Sequence, residues 1–332
     1  MRKIFLLLIS LFVGIFVFFF IGRTIGWREI KNAFLVFTGW QGLIILILTL
    51  LMMLIGNWKW KEILKGEGVD VSFWNLFKPY LAGFSIMFLA PILLLGGEVV
   101  RGYILKNRNS IVWSKGMASV LIERILEWTV NLLVIFSGLL FFLLMIDLPP
   151  RNLTILMSSL FLFFTIGIFI FYLKILKKES LISFFSRWFR LKFLNQKNSF
   201  LEIEKEIFAF FRTQNKKLWQ VLGLTFLRAG VMWSRTWFLI LFLGKNIGAL
   251  PSLSILGFTY LIAMIPIPTA LGSHEAIQIF AFNSLGMNPF VATAFTLIIR
   301  GAELIFALIG AIIIFRLGMV ILNQYFTNKN HI

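Results

Sequence analysis

The sequence predicts an all-α polytopic membrane protein, and three observations lead there. First, 59% of the 332 residues are apolar and only 14% are charged, with 39 Phe, 11 Trp and a mean hydropathy of +0.91. A soluble domain carries about a quarter charged residues, and this chain has too little polar surface to cover a water-soluble core. Second, apolar stretches of about 20 residues, enough to cross a ~30 Å hydrocarbon core at ~1.5 Å per residue, recur along the chain. Third, the net charge of +18 is unevenly distributed, as expected where Lys and Arg gather in cytoplasmic loops facing anionic lipid. That distribution carries topology and implies no nucleic acid.

The stretches lie near 4 to 22, 33 to 57, 79 to 97, 118 to 146, 153 to 175, 218 to 243, 251 to 272 and 288 to 315. The first follows Arg2 and Lys3 as a signal peptide would, but its apolar run is too long and no small-residue cleavage site follows, so it is expected to remain as a helix. From Lys174 to Lys217, counting both, stand eleven basic and four acidic residues, which places that loop in the cytoplasm. Counting back through 153 to 175 and 118 to 146 puts Lys106, Arg108 and Lys115 inside too. If 79 to 97 enters and returns on one side, six basic residues (Arg2, Lys3, Lys59, Lys61, Lys65, Lys78) lie inside against three outside (Arg23, Arg28, Lys31). A full crossing reverses that bias. Segment 251 to 272 likewise reads as re-entrant from the opposite face, because no Lys or Arg occurs between Lys245 and Arg300. Pro266 and Pro268 support a broken helix there.

The expectation is six spanning helices plus two re-entrant half-helices, with both termini cytoplasmic in a plasma membrane. The basic loop contains SFFSRWFRLKF (183 to 193) and FLEIEKEIFAFF (200 to 211), whose aromatic and charged residues fall on opposite helical faces. These are expected along the membrane surface, against anionic lipid.

Laid side by side, the halves repeat. P-x6-E occurs at Pro91 to Glu98, with Gly97 before the Glu, and at Pro268 to Glu275, with Gly272 three before it. R-x2-E follows at Arg124 and Glu127, and again at Arg300 and Glu303. The offsets are 177 for the first motif (268 minus 91) and 176 for the second (300 minus 124). In so charge-poor a chain this indicates a duplication. The pseudo-repeat halves 1 to 175 and 218 to 320 are joined by the loop 176 to 217 within one transmembrane domain, 1 to 332. Opposite entry faces for the two re-entrant segments make the repeat inverted, an architecture used by transporters.

Glu98, Arg101, Glu123, Arg124, Glu127, Glu275, Arg300 and Glu303 lie in or beside apolar segments, where a charge costs at least ~2.5 kcal/mol at a helix centre. They must face one another or water. Glu98 with Arg101, Arg124 with Glu127 and Arg300 with Glu303 are spaced i,i+3 on one face, and Arg228 and Arg235 share a face two turns apart. Gly97 and Gly272 permit sharp turns and close ligand approach. An Arg fork suits a lipid phosphate, while a desolvated Glu98 or Glu275 suits a cationic head group or a coupled proton. Locking ion pairs are the structural alternative.

With no Cys, thiolate nucleophiles, disulfides and Cys-ligated clusters are excluded. Fourteen carboxylates and two distant His, His274 and His331, make metal-centred hydrolysis a poor fit, and no cofactor is implied.

At these residues the sequence resembles the flippase-like transmembrane domain family of lysylphosphatidylglycerol synthases. The matching stretches are NWKWKEIL (57 to 64), LAPILLLGGEVVRGYIL (89 to 105), ASVLIERILEW (118 to 128), IPIPTALGSHEA (265 to 276) and LGMNPFVATAFTLIIRGAEL (285 to 304). The resemblance implies flipping of a phospholipid or glycolipid between leaflets, with Gly97, Glu98, Arg101, Gly272 and Glu275 in the translocating core. His274 stands where members often carry Arg, bringing a group that titrates near neutrality. Leu95 stands where they often carry a basic residue. The sequence ends at Ile332, soon after the last apolar stretch, so the soluble aminoacyl-transfer domain is not expected and the lipid would be made by a separate enzyme.

The expected site is therefore Gly97, Glu98, Arg101, Arg124, Glu127, Gly272, His274, Glu275, Arg300 and Glu303, binding a membrane lipid. Two other classes fit the same composition. One is a membrane transferase acting on a lipid-linked substrate, and the other is an anchor that holds a separate lipid-modifying enzyme through the basic loop.

Overall fold

Hydrocarbon offers no partners to backbone amides, so apolar runs of this length satisfy their N–H and C=O groups internally as helices. The computed structural model describes residues 39–89, 96–109, 111–145, 151–180, 197–213, 215–263, 273–287 and 289–328. The expected span 4 to 22 and the stretch 183 to 193 lie outside them. The helices are α1 (Trp40–Gly66), α2 (Phe73–Leu89), α3 (Gly96–Asn109), α4 (Trp113–Met145), α5 (Arg151–Lys177), α6 (Lys197–Thr213), α7 (Asn215–Phe242), α8 (Ala249–Ala263), α9 (Ser273–Ser284) and α10 (Pro289–Asn328).

Four of these are long and apolar enough to cross a membrane: α1, α4, Met157–Lys177 within α5, and Val291–Arg316 within α10. α7 covers the expected segment 218 to 243 and is 28 residues long, but carries Arg228 and Arg235 mid-helix and is not in that group. α2, α3, α8 and α9, at 17, 14, 15 and 12 residues, are shorter than the ~20 a full crossing takes. α5 exposes Leu162, Phe163, Ile166 and Phe169 along one side, an apolar exterior suited to lipid.

α1 runs to Gly66, well past the apolar stretch that ends near 57. Lys59 falls in register with Met52, Ile55 and Ile63, all buried, so the helix continues with its lysine turned inward. Lys59 is thus a buried residue of α1 and no loop charge. α1 stops at a Schellman turn: Gly68 takes φ 76, its N–H bonds the Lys65 carbonyl at 3.1 Å, and the Val69 N–H bonds that of Leu64 at 2.9 Å. α7 stops in the same way at Gly244.

α1 packs along α7, α4 along α8, and α2 along α10. Phe142 and Phe258 meet edge-on at 4.9 Å across α4 and α8, and the Ser85 hydroxyl of α2 donates to the Ala307 carbonyl of α10 at 2.7 Å. α6 differs from the expectation for 200 to 211. Its apolar residues Ile203, Ile207, Phe208, Phe210 and Phe211 are buried in a cluster with Ile63 of α1, Ile122 and Leu126 of α4 and Ile175 of α5. Its strong amphipathicity is therefore spent on protein packing, which covers apolar area as lipid would. Arg212 closes the join by donating two hydrogen bonds to the Ile175 carbonyl, at 2.9 and 3.1 Å, capping the end of α5.

Candidate functional site

The charged residues of the first half converge where α1, α3, α4 and α7 meet. Glu123 and Glu127, spaced i,i+4 on α4, point one way. Lys59, fully buried on α1, lies 2.7 Å from Glu127 Oε1 and 3.4 Å from Glu123. Arg228 of α7 donates to the same Glu127 oxygen at 2.6 Å, and Arg124 donates to Glu127 Oε2 at 3.1 Å. One carboxylate thus holds cations from three helices.

Arg124 also reaches Glu98 of α3, through Nε at 3.0 Å and through a second guanidinium nitrogen. Arg101 of α3 pairs with Glu123 instead of with its own neighbour Glu98. Of the expected i,i+3 pairs, Arg124 with Glu127 forms, whereas Glu98 and Arg101 each turn to α4. Both are nearly fully buried, and a bond across helices joins two segments that a bond along one helix leaves independent.

Aromatic rings and glycines hold Arg101 in place. Its guanidinium lies over the Trp60 ring at 4.0 Å and the Tyr80 ring at 4.9 Å, and the Trp60 indole N–H is fixed by Ser119 Oγ at 3.0 Å. α2 and α3 meet at Gly83 and Gly97. A Cβ on Gly97 would sit 2.4 Å from the Gly83 carbonyl oxygen, and one on Gly83 would sit 2.5 Å from Arg101 Cγ. Only glycine allows that approach.

Beside this network lies a small, open-mouthed cavity, lined by Arg101, Arg124, Arg228, Glu123, Glu127 and Tyr80 among others. The Nε atoms of Arg101 and Arg228 are buried without a hydrogen-bond partner. Three guanidinium groups share its lining with the carboxylates of Glu123 and Glu127, in a space where each charge is worth more than in water, and planar cationic donors of this kind suit an oxyanion.

The second-half residues are placed as follows. Glu303 of α10 accepts from Arg235 of α7 at 2.9 Å, and Arg235 also donates to Thr49 Oγ1 of α1 at 3.1 Å. Arg300 is partly buried one turn before Glu303. His274 and Glu275 fall in the first turn of α9, with their side chains outside the described residues, as is Gly272 altogether. Among the described residues, no group of three or more His, Asp or Glu is arranged to hold a metal ion.

Lys59, Glu123 and Arg228 complete the network and were not among the expected site residues. Glu123 and Arg228 stood out as charges in apolar segments, but Lys59 looked like part of a basic loop. Its register with Met52, Ile55 and Ile63 was the signal that could have found it.

Long apolar helices around a buried ion-pair network define a helical membrane protein with a polar interior site. Residues 7–311 match the family described as the lysylphosphatidylglycerol synthase TM region, and the chain belongs to that family. It is similar to a UPF0104 membrane protein of Methanocaldococcus jannaschii, 26% identical over 264 residues, which cover 76% of this chain and 77% of that one. A second UPF0104 membrane protein, from Pyrococcus horikoshii, is 27% identical over 276 residues, 78% of this chain and 81% of that one. No solved structure matches the chain.

Proposed function

We propose that the protein translocates a phospholipid or glycolipid between membrane leaflets, through a charged cavity between two inverted halves. The observation that carries this reading is the cavity itself: arginines from α3, α4 and α7 converge on one space inside an apolar bundle. Buried charge at such cost marks substrate paths in membranes. The membership in a family named for lipid synthases agrees with a lipid substrate.

Several features support the repeat. α1 and α7 begin 175 residues apart (215 minus 40), α2 and α8 176, α3 and α9 177, and α4 and α10 176. The motif offsets have the same size. The packing of α4 on α8 corresponds to that of α10 on α2, as a pseudo-two-fold axis requires. Gly68 and Gly244 end equivalent helices 176 apart (244 minus 68). Lys59 with Glu127 and Arg235 with Glu303 form equivalent bonds between equivalent helices. The short pairs α2–α3 and α8–α9 are then the re-entrant elements, with Gly97, Glu98, Arg101, Arg124 and Glu127 serving one face and Gly272, His274, Glu275, Arg300 and Glu303 the other. Both termini lie in the cytoplasm of a cell whose plasma membrane holds the protein, and a separate enzyme makes the lipid.

The test is lipid flipping by purified protein in liposomes, using fluorescent phospholipids and an impermeant quencher. Quenching well beyond the outer-leaflet half, reduced by Glu98→Gln and by Glu275→Gln while folded protein persists, is the expected result. Protein-independent quenching across anionic, zwitterionic and glycosylated lipids would overturn the reading.

A further inference from the structure

α6 lies over the end of α1, where a carboxyl is shut in. Glu67, the residue after α1, is only 9% exposed, and both of its carboxyl oxygens are buried without a hydrogen-bond partner. Phe210 of α6 packs over the neighbouring Gly66, where an added Cβ would sit 2.6 Å from the Phe210 ring. Glu206, one turn earlier on the same face of α6, is the like charge that acts on Glu67. Lys115 of α4 opposes it, but its ammonium donates to the Glu67 carbonyl at 3.0 Å and makes no bond to the carboxyl. Of the other cations near this end of α1, Lys65 is exposed and Lys217 of α7 is bonded to Glu62.

A carboxylate in such a place lacks the water or donors that its charge requires, so the docked protein holds Glu67 neutral. Burial, and then Glu206, push its carboxyl up to about 9. With α6 withdrawn, the same carboxyl meets water and returns to its ordinary value of 4.5. Between these values the docked form holds a proton that the undocked form has lost. Docking therefore weakens about tenfold per pH unit as pH rises through that window. The apolar face of α6, with Ile203, Ile207, Phe208, Phe210 and Phe211, suits a membrane surface as well as it suits α1 and α4, because apolar burial is non-directional. Glu204 accepts from Ser180 and Arg212 donates to the Ile175 carbonyl, bonds that tie α6 to the end of α5 and not to α1 or α4.

We propose that Glu67 is a proton-operated latch for α6. With its carboxyl neutral the helix stays docked on α1 and α4, and loss of the proton releases it towards the membrane surface, uncovering Ile63, Ile122 and Leu126. Ile122 and Leu126 directly precede Glu123 and Glu127 on α4, so release bares the back of the helix that carries the ion-pair network. The latch goes beyond lipid translocation and does not depend on it.

The test measures distances between spin labels on the protein in liposomes. Ala209→Cys, on the exposed side of α6, and Val112→Cys, exposed just before α4, supply the two thiols of an otherwise cysteine-free chain. Pulsed electron resonance is expected to show one docked distance between 209 and 112 at pH 6. A second, longer distance is expected to grow in up to pH 9, the ratio of released to docked protein rising about tenfold per unit until release is complete. A second pair, Val112→Cys with Leu43→Cys on α1, reports on the bundle and is expected to keep one distance throughout. Glu67→Gln, which keeps the shape of the neutral acid, and Glu67→Leu are each expected to hold the docked distance at every pH. A docked distance that persists to pH 9 with Glu67 in place overturns the latch. So does release that grows equally in both Glu67 variants, because another group would then be titrating. A change between 112 and 43 in step with that at 209 also overturns it, as general unfolding.

Discussion

At the scale of the residue, Glu127 concentrates the most consequence in one side chain. Among the described residues it is the only carboxylate that bonds Lys59, Arg124 and Arg228 together, so removing its charge leaves Lys59 and Arg228 short of a counter-ion in a buried site. Breaking a buried pair from one side costs about 3–5 kcal/mol. Glu127→Gln is therefore expected to lower thermal stability in detergent sharply, whereas the doubly altered Lys59→Met/Glu127→Gln is expected to recover part of the loss. Glu67, in the connection after α1, makes a separate prediction. Burial, and then the nearby Glu206 carboxylate, push its carboxyl up to about 9, against an opposing pull from Lys115. Lys115 Nζ bonds the Glu67 carbonyl at 3.0 Å, and the carboxyl oxygens themselves have no partner. Between the unfolded value of 4.5 and about 9 the folded protein holds a proton that the unfolded chain has lost, so this group stabilises fully below that window and progressively less as pH rises through it. Melting temperatures measured from pH 5 to 9 should fall with pH, and Glu67→Gln should flatten the curve. An unchanged slope in that variant would show the pH dependence to lie elsewhere.

Among the elements, the contact between α2 and α3 governs where Arg101 sits. A methyl added at Gly83 meets Arg101 Cγ at 2.5 Å and the Gly97 carbonyl oxygen at 2.8 Å, neither of which can move without displacing the other. Overpacking of this kind costs about 1–3 kcal/mol, and the displaced Arg101 would part from Glu123. Gly83→Ala is expected to reduce both melting temperature and lipid flipping. Gly167→Ala, on lipid-facing α5 where an added Cβ meets nothing, is expected to do neither and to gain about 0.5–1 kcal/mol from helix propensity. Equal behaviour of the two variants would mean that the α2–α3 contact does not position the site.

For the whole molecule, the inverted reading makes the two re-entrant elements reachable from opposite sides. The chain has no cysteine, so Asp70→Cys and Ser273→Cys each introduce a single reporter, one after α1 and one at the start of α9. In intact cells an impermeant maleimide is expected to label position 273 and to spare position 70 until the membrane is opened. Labelling of both from the same side would contradict the inversion while leaving the helices and their pairing as described.

The class of this protein was legible in its sequence because it depends on quantities local to the chain. Apolar length, together with backbone bonding that closes within a segment, determines where helices form, and α4, α5 and α7 each fall within a few residues of stretches 118 to 146, 153 to 175 and 218 to 243. The charges worth attention were legible for the same reason: an Arg or Glu in an apolar run stands out wherever it ends up. Their partners were not. Periodicity assigns residues to a face of one helix, which is why Arg124 with Glu127 came out right. The bonds of Glu98 to Arg124, of Arg101 to Glu123 and of Lys59 to Glu127 join residues 26, 22 and 68 positions apart. Those choices were made only when α1, α3, α4 and α7 packed, because an ion pair is decided by a few ångströms between helices and no spacing along the chain records that distance.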